Sequence, residues 1–204
     1  MRLASVLSST CALVLLVGGW TIAGHLQGPG YDPVTQTISS LAAEGARDRW
    51  LMTSAMFAVG ACHWITAFGL RAAASTGRLA LICGGTATVL VAMTPETSTG
   101  AASVRHAAAA GAGGAALAVW PMLAAGRDPF TPWGLRPVIS AAATTFLLAG
   151  VAWFVVSVQV HTAAGIAERV LTTSETAWPL VVAVSALGHA GRRSTVPSGG
   201  DSPR

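Results

Sequence analysis

Gly28-Pro29-Gly30-Tyr31-Asp32-Pro33-Val34-Thr35-Gln36-Thr37-Ile38-Ser39-Ser40-Leu41 is the stretch on which the reading of this chain turns. It is neither apolar filler nor a bare connector, and it separates one hydrophobic span from five others. Gly28-Pro29-Gly30 marks a turn and Asp32-Pro33 marks another. Pro33 suits the first position of a helix, with Asp32 as its N-cap. Val34, Ile38 and Leu41 then recur at i, i+4 and i+7. That spacing predicts a short amphipathic helix of about two turns lying on the membrane surface. Such a helix would close one end of a helical bundle, with Tyr31 at headgroup level. The functional alternative is a lid over a polar site, with Tyr31 and Ser39 turned inward.

Composition supplies the bundle. Of 204 residues, 52% are hydrophobic and only 10% charged, and the mean hydropathy is +0.60. Soluble domains carry about 25% charge, and a soluble chain of this size could not cover its surface with so little. Lipid is the solvent that fits. Abundant alanine and glycine allow helices to approach closely. The net charge of +4 does not imply nucleic acid, because the arginines are scattered singly between apolar spans. All 12 basic residues are arginine, which reads as the codon usage of a GC-rich genome. Cys11, Cys62 and Cys83 fall inside spans without a CxxC pair and read as small buried apolar residues.

The spans run over about Leu3–Gly24, Trp50–Leu70, Leu79–Met93, Val104–Ala125, Pro137–Val160 and Arg169–Ala190, each near the length a bilayer requires. The first resembles a signal peptide, but five further spans favour an uncleaved helix. The third is short and is expected to extend back through Gly77 and Arg78. Pro137 suits a helix start, and Pro179 is expected to kink the sixth span. Gly191–Arg204, rich in Ser, Pro, Gly and Arg, reads as a disordered tail. Ala107, Gly111 and Ala115 repeat at four, as do Ala110, Gly114 and Ala118; such faces invite close helix packing and predict the fourth span in the middle of the bundle. The fold class expected is therefore all-α: a single six-helix transmembrane domain over residues 1–190, with a short amphipathic helix in the first outer loop.

Arginine distribution sets the orientation. With the N-terminus in the cytoplasm, the inner segments carry Arg2, Arg71, Arg78, Arg127, Arg136, Arg192, Arg193 and Arg204. The outer segments carry Arg47, Arg49, Arg105 and Arg169. This bias places both termini in the cytoplasm of a cell-membrane protein.

Unusual side chains gather at the outer end. Loop one brings Tyr31 and Ser39, the third connection brings Glu96, Arg105 and His106, and the last brings His161, Glu168 and Arg169. Glu168, Thr172 and Glu175 share one helical face, and Glu175 lies about 10 Å deeper than Glu168. A carboxylate at that depth should face the interior, paired with Arg105, Arg169 or His106 in an ion pair locking spans four and six, or serving a proton, cation or substrate. His63, in the middle of span two, reads as a neutral interhelical hydrogen-bonder. His25, His106 and His161 lie one per loop end, without HExxH or HxxxH spacing, so no metal is assigned. Walker, GxGxxG and GxSxG patterns are absent, and no cofactor is implied.

The six spans, the Gly-Tyr-Asp-Pro stretch with Thr37-Ile38-Ser39-x-Leu41, His106 opening span four and Glu168-Arg169 opening span six resemble a bacterial membrane family, domain of unknown function 998. The similarity covers about residues 5–190. It implies a six-helix integral membrane protein with no established activity. Members of that family commonly have an acidic residue where this chain has Ser40.

The candidate ligand-binding set is Tyr31, Ser39, Arg105, His106, Glu168, Arg169 and Glu175. It suggests a non-enzymatic protein that binds a lipid headgroup or small amphiphile, with arginine and histidine suiting anionic groups. Membrane lipids are the partners expected. A lipid hydrolase or transferase would need Ser39 or Tyr31 as nucleophile within reach of His106 or Glu175 as base. A proton-coupled carrier would need Glu175 and His63 on one polar path from the outer face.

Overall fold

Helices fill the apolar spans because a backbone in lipid must satisfy its own hydrogen bonds. A computed structural model describes residues 2–97 and 102–194. Its helices are α1 (Arg2–Leu26), α2 (Trp50–Gly69), α3 (Ser75–Met93), α4 (Val104–Ala124), α5 (Pro137–Gln159) and α6 (Ala164–Ser194). All six are long and apolar enough to cross a membrane, and no strand occurs among the described residues. The chain is thus a multi-pass membrane protein, with many large apolar side chains such as Leu7, Phe68, Phe146 and Val156 on the outward, lipid-facing surface.

Boundaries match the sequence reading closely except at the two ends of α6. Helix α3 extends back through Arg78 and Gly77, as expected, and begins at Ser75; Arg78 is tolerated because its Nε donates to the Ala67 carbonyl at 2.9 Å, satisfying the end of α2. Helix α6 begins at Ala164 and runs to Ser194. Glu168 and Arg169 therefore sit inside it, and the expected tail starts later than Gly191, with residues 195–204 outside the described set. Pro137 occupies the first turn of α5, as expected. Of the cysteines only Cys62 is buried; Cys11 and Cys83 are exposed on the apolar surface, where a small thiol is as compatible with lipid as with a core.

Each helix packs on its neighbours in sequence, α6 returns to pack on α1, and α4 approaches α6 across the ring so formed. Small residues set close crossings: Gly60 of α2 lies against Gly85 and Val89 of α3, where any Cβ would collide with the Gly85 carbonyl. Polar side chains tie further pairs, with Ser8 and Thr66 hydroxyls at 2.7 Å between α1 and α2, and the Trp64 indole N–H on Thr86 at 3.2 Å between α2 and α3. Such bonds are modest in lipid, about 0.6 kcal/mol each on average.

Helix α4 is not central. It is a member of the ring, and its small-residue faces do different work from that expected. Ala110 and Gly114 line an open space at the centre, and a Cβ on Gly111 would meet nothing within 4 Å. The close contacts are made instead by Gly113 against Ala87 and by Leu117 against Gly84.

The end at which α1 begins and α6 finishes is sealed by an apolar plug of Leu81, Leu117, Trp120, Leu135 and Val182. Loop one covers the other end, with Ile38, Leu41 and Ala42 packed on Leu16, Met52 and Met56 of α1 and α2. The loop's amphipathic helix is not continuous. Asp32 caps a single turn, and a 3-10 helix follows only over Ser39–Ala42. The reason is competition for carbonyls. Val34 O accepts the Ile166 N–H at 3.1 Å, and Pro33 O and Gln36 O accept from Arg169, so helix α6 takes the acceptors a second turn would use.

Candidate functional site

Between the ring and its loop-one cover lies a cavity of about 1240 Å³. Its walls are largely apolar, with Leu16, Val59, Leu117, Val151 and Leu171 among them. His63, Leu117 and Thr176 line its floor, each about 20 Å along its helix from the loop-one end. It is wide because the facing residues of α4 are Ala and Gly. Helix α5 contributes to the opening: its buried residues are Ser140, Ala143 and Leu147 toward the plug, but only Ser157 in the half nearer loop one.

Loop one is held over the cavity by α6. The Arg169 guanidinium donates through Nη1 to Pro33 O (3.0 Å), Gln36 O (2.9 Å) and Gly165 O (2.8 Å), and through Nη2 to the Tyr31 hydroxyl. It also lies over the Trp20 ring, 5.7 Å from its centroid, a cation–π distance. One residue earlier, the Glu168 carboxylate accepts the Ile38 N–H on Oε2 and faces the Ser39 hydroxyl at 3.5 Å from Oε1. Burial pushes the Tyr31 phenol above its usual range, against the pull of Arg169. Asp32 is held below its usual range, first by the Thr35 hydroxyl and then by the Val34 N–H.

A second pair spans the third connection. The His106 Nδ1 sits 2.7 Å from the Thr94 carbonyl, which can only accept, so Nδ1 carries the proton. This leaves Nε2 facing Glu96 Oε1 at 3.7 Å. Burial pushes Glu96 above the ordinary carboxylate range, and His106 opposes that shift. The Glu96 carbonyl also accepts the Glu44 N–H at 2.9 Å, stitching this connection to loop one.

Deeper, Glu175 is 2% exposed and its Oε1 has no hydrogen-bond partner; His63 is 1% exposed with neither ring nitrogen partnered. Both line the cavity. Neither fits the pairing expected of it: His106 is engaged with Glu96 and Thr94, Arg169 with loop one, and His63 bonds no neighbouring helix. An unpaired carboxylate at mid-membrane depth costs about 2.5–3.5 kcal/mol on insertion scales. Such a group marks a function more often than a structural need.

The structure therefore brings Tyr31, Ser39, His106, Glu168 and Glu175 to one cavity, and leaves Arg105 and Arg169 off its wall. Arg105 is exposed. The shared face of Glu168, Thr172 and Glu175 is turned to the cavity as their spacing indicated. Glu96 and His63 belong beside them. The approach of Glu96 to His106 could have been read from their places at the two ends of one short connection; the lack of a partner for His63 had no sequence signal. Among the described residues no three His, Cys, Asp or Glu side chains converge as a metal site would require. Ser39 and Tyr31 make no hydrogen bond to His106.

Fold and site define a multi-pass membrane protein whose six helices ring a part-polar cavity capped by its first connection. The family described as "Protein of unknown function (DUF998)" matches residues 10–185, and the chain belongs to it. No curated protein and no solved structure matches.

Proposed function

We propose that this chain is a non-enzymatic receptor for a small amphiphile, seated in the cell membrane with both termini in the cytoplasm and the cavity toward the outer face. The cavity carries the reading. Its volume of about 1240 Å³ exceeds the roughly 300–1,000 Å³ of ordinary ligand pockets, its walls suit an acyl chain, and its polar groups sit at mouth and floor, where a headgroup or terminal group would be held. The arginine bias supports the orientation. Native mass spectrometry of the purified protein is expected to show a bound small amphiphile. Ala110→Leu, which adds a side chain to the cavity wall without entering a helix contact, should lose it at unchanged melting temperature. Equal retention by both proteins would count against the proposal.

A proton-coupled carrier is the second reading, favoured because the cavity that opens under loop one also reaches Glu175 and His63. It requires passage through the plug of Trp120, Leu135 and Val182. Flux in proteoliposomes that disappears in Glu175→Gln would support it over a receptor. A hydrolase or transferase draws least support: the Ser39 and Tyr31 oxygens face Glu168 and Arg169, not a histidine.

A further inference from the structure

We infer that the ligand of this cavity is a cationic amphiphile whose head is a protonated primary or secondary amine, received by Glu175. The inference rests on the receptor reading above and names its substrate class. Charge is the first argument. The chain has 12 arginines and 8 acidic residues, yet among the described residues every formally charged side chain on the cavity wall is a glutamate: Glu44, Glu96, Glu168 and Glu175. Neither Arg105 nor Arg169 lies on the wall. Arg169 is bound to loop-one carbonyls, and Arg105 is exposed beyond the wall. An anionic headgroup entering here would meet carboxylates and no guanidinium.

Hydrogen bonding narrows the class. Of these glutamates, Glu168 is satisfied by the Ile38 N–H and Ser39, and Glu96 faces His106. Glu175 keeps a buried oxygen with nothing to accept from. A group that brings both positive charge and N–H donors satisfies it on both counts. His63, also unpartnered on the same wall, offers a bare ring nitrogen as a second acceptor for a neutral imidazole. A quaternary ammonium has no N–H to give and is held instead by an aromatic box. Among the described residues this wall has only Tyr31 and Phe154 as carbocyclic aromatics, and the Tyr31 hydroxyl is engaged by Arg169. The Ala110 and Gly114 face of α4 leaves the space beside Glu175 open, since a Cβ on Gly114 would stand 3.9 Å from its Oε1.

The test uses a chain-matched set of probes: decylamine, decyltrimethylammonium, decanol and decanoate. Each is titrated below its micelle concentration into the full chain in maltoside detergent, with Ala110→Leu as the control for micelle partitioning. Decylamine is expected to bind about tenfold or more tightly than the other three, and Glu175→Gln should remove that preference while leaving decanol unchanged. If decanol or decanoate binds as well as decylamine and Ala110→Leu blocks them, the cavity binds amphiphiles but the amine assignment is overturned. Decylamine binding that survives Glu175→Gln overturns it too. If none of the four binds, the receptor reading and this inference fall together.

Discussion

Arg169 and Glu168 are adjacent, yet each grips a different part of loop one. The guanidinium takes the carbonyls of Pro33 and Gln36 and the Tyr31 hydroxyl, and the carboxylate takes the Ile38 N–H. Only a planar fork can serve these acceptors together, because a lysine ammonium is a point charge on a flexible stem. Arg169→Lys is expected to destabilise by about 1–3 kcal/mol, seen as a lower melting temperature and faster proteolysis within residues 28–49. Unchanged cleavage would show that the loop is held by Ile38 and Leu41 alone. Glu96 makes a pH prediction. Its folded-state pKa is raised by burial, so the folded protein binds this proton more tightly than the unfolded chain, and stability falls as pH rises above the ordinary carboxylate value of 4.5. Glu96→Gln removes that dependence. The melting temperature of the variant relative to the parent should climb as pH rises above 4.5, and a flat difference would contradict the assignment.

At the scale of elements, glycine has opposite uses on α2 and α4. Gly60 of α2 sits where a Cβ would lie 2.6 Å from the Gly85 carbonyl, and backbone cannot step aside as a side chain can. Gly60→Ala should therefore cost about 1–3 kcal/mol. Gly111 of α4 faces open space, so Gly111→Ala should be neutral or stabilising by about 0.5–1 kcal/mol through helix propensity. Thermal unfolding of the two variants in detergent checks both signs at once. Equal losses would mean that α4 packs against a partner at Gly111. The same contrast explains the misplacement of α4: a small-xxx-small repeat has one appearance in sequence, whether it meets another helix or lines a void. Loop one was only partly legible for a related reason. Asp32 capping its turn follows from local chemistry, but the loss of the second turn depends on Arg169 and Ile166, more than a hundred residues away.

For the whole molecule, six spans place both ends of the described chain on one side and loop one on the other. With the termini cytoplasmic, Thr35→Cys should react with a membrane-impermeant maleimide on intact cells and Arg127→Cys should not. The reverse pattern would invert the protein and move the cavity's mouth to the cytoplasm. The ring is what gives the cavity its chemistry. Neighbouring helices meet through small residues and single hydrogen bonds, the plug seals one end, and a few polar groups that lipid would reject, Glu175 and His63 among them, are left facing inward on largely apolar walls.

The sequence by itself determined that this is a membrane protein, how many helices it has and close to where each begins, because the thickness of hydrocarbon and the need to satisfy the backbone leave few alternatives. It also determined that Glu168, Thr172 and Glu175 share a face, since helical period is local. Only the tertiary structure decided which side chains found partners. Arg169 went to loop one, His106 to Glu96, and Glu175 and His63 were left unpartnered on the cavity wall. Pairing depends on how helices are ranged around the ring, a matter of packing between distant segments that neither periodicity nor hydropathy encodes.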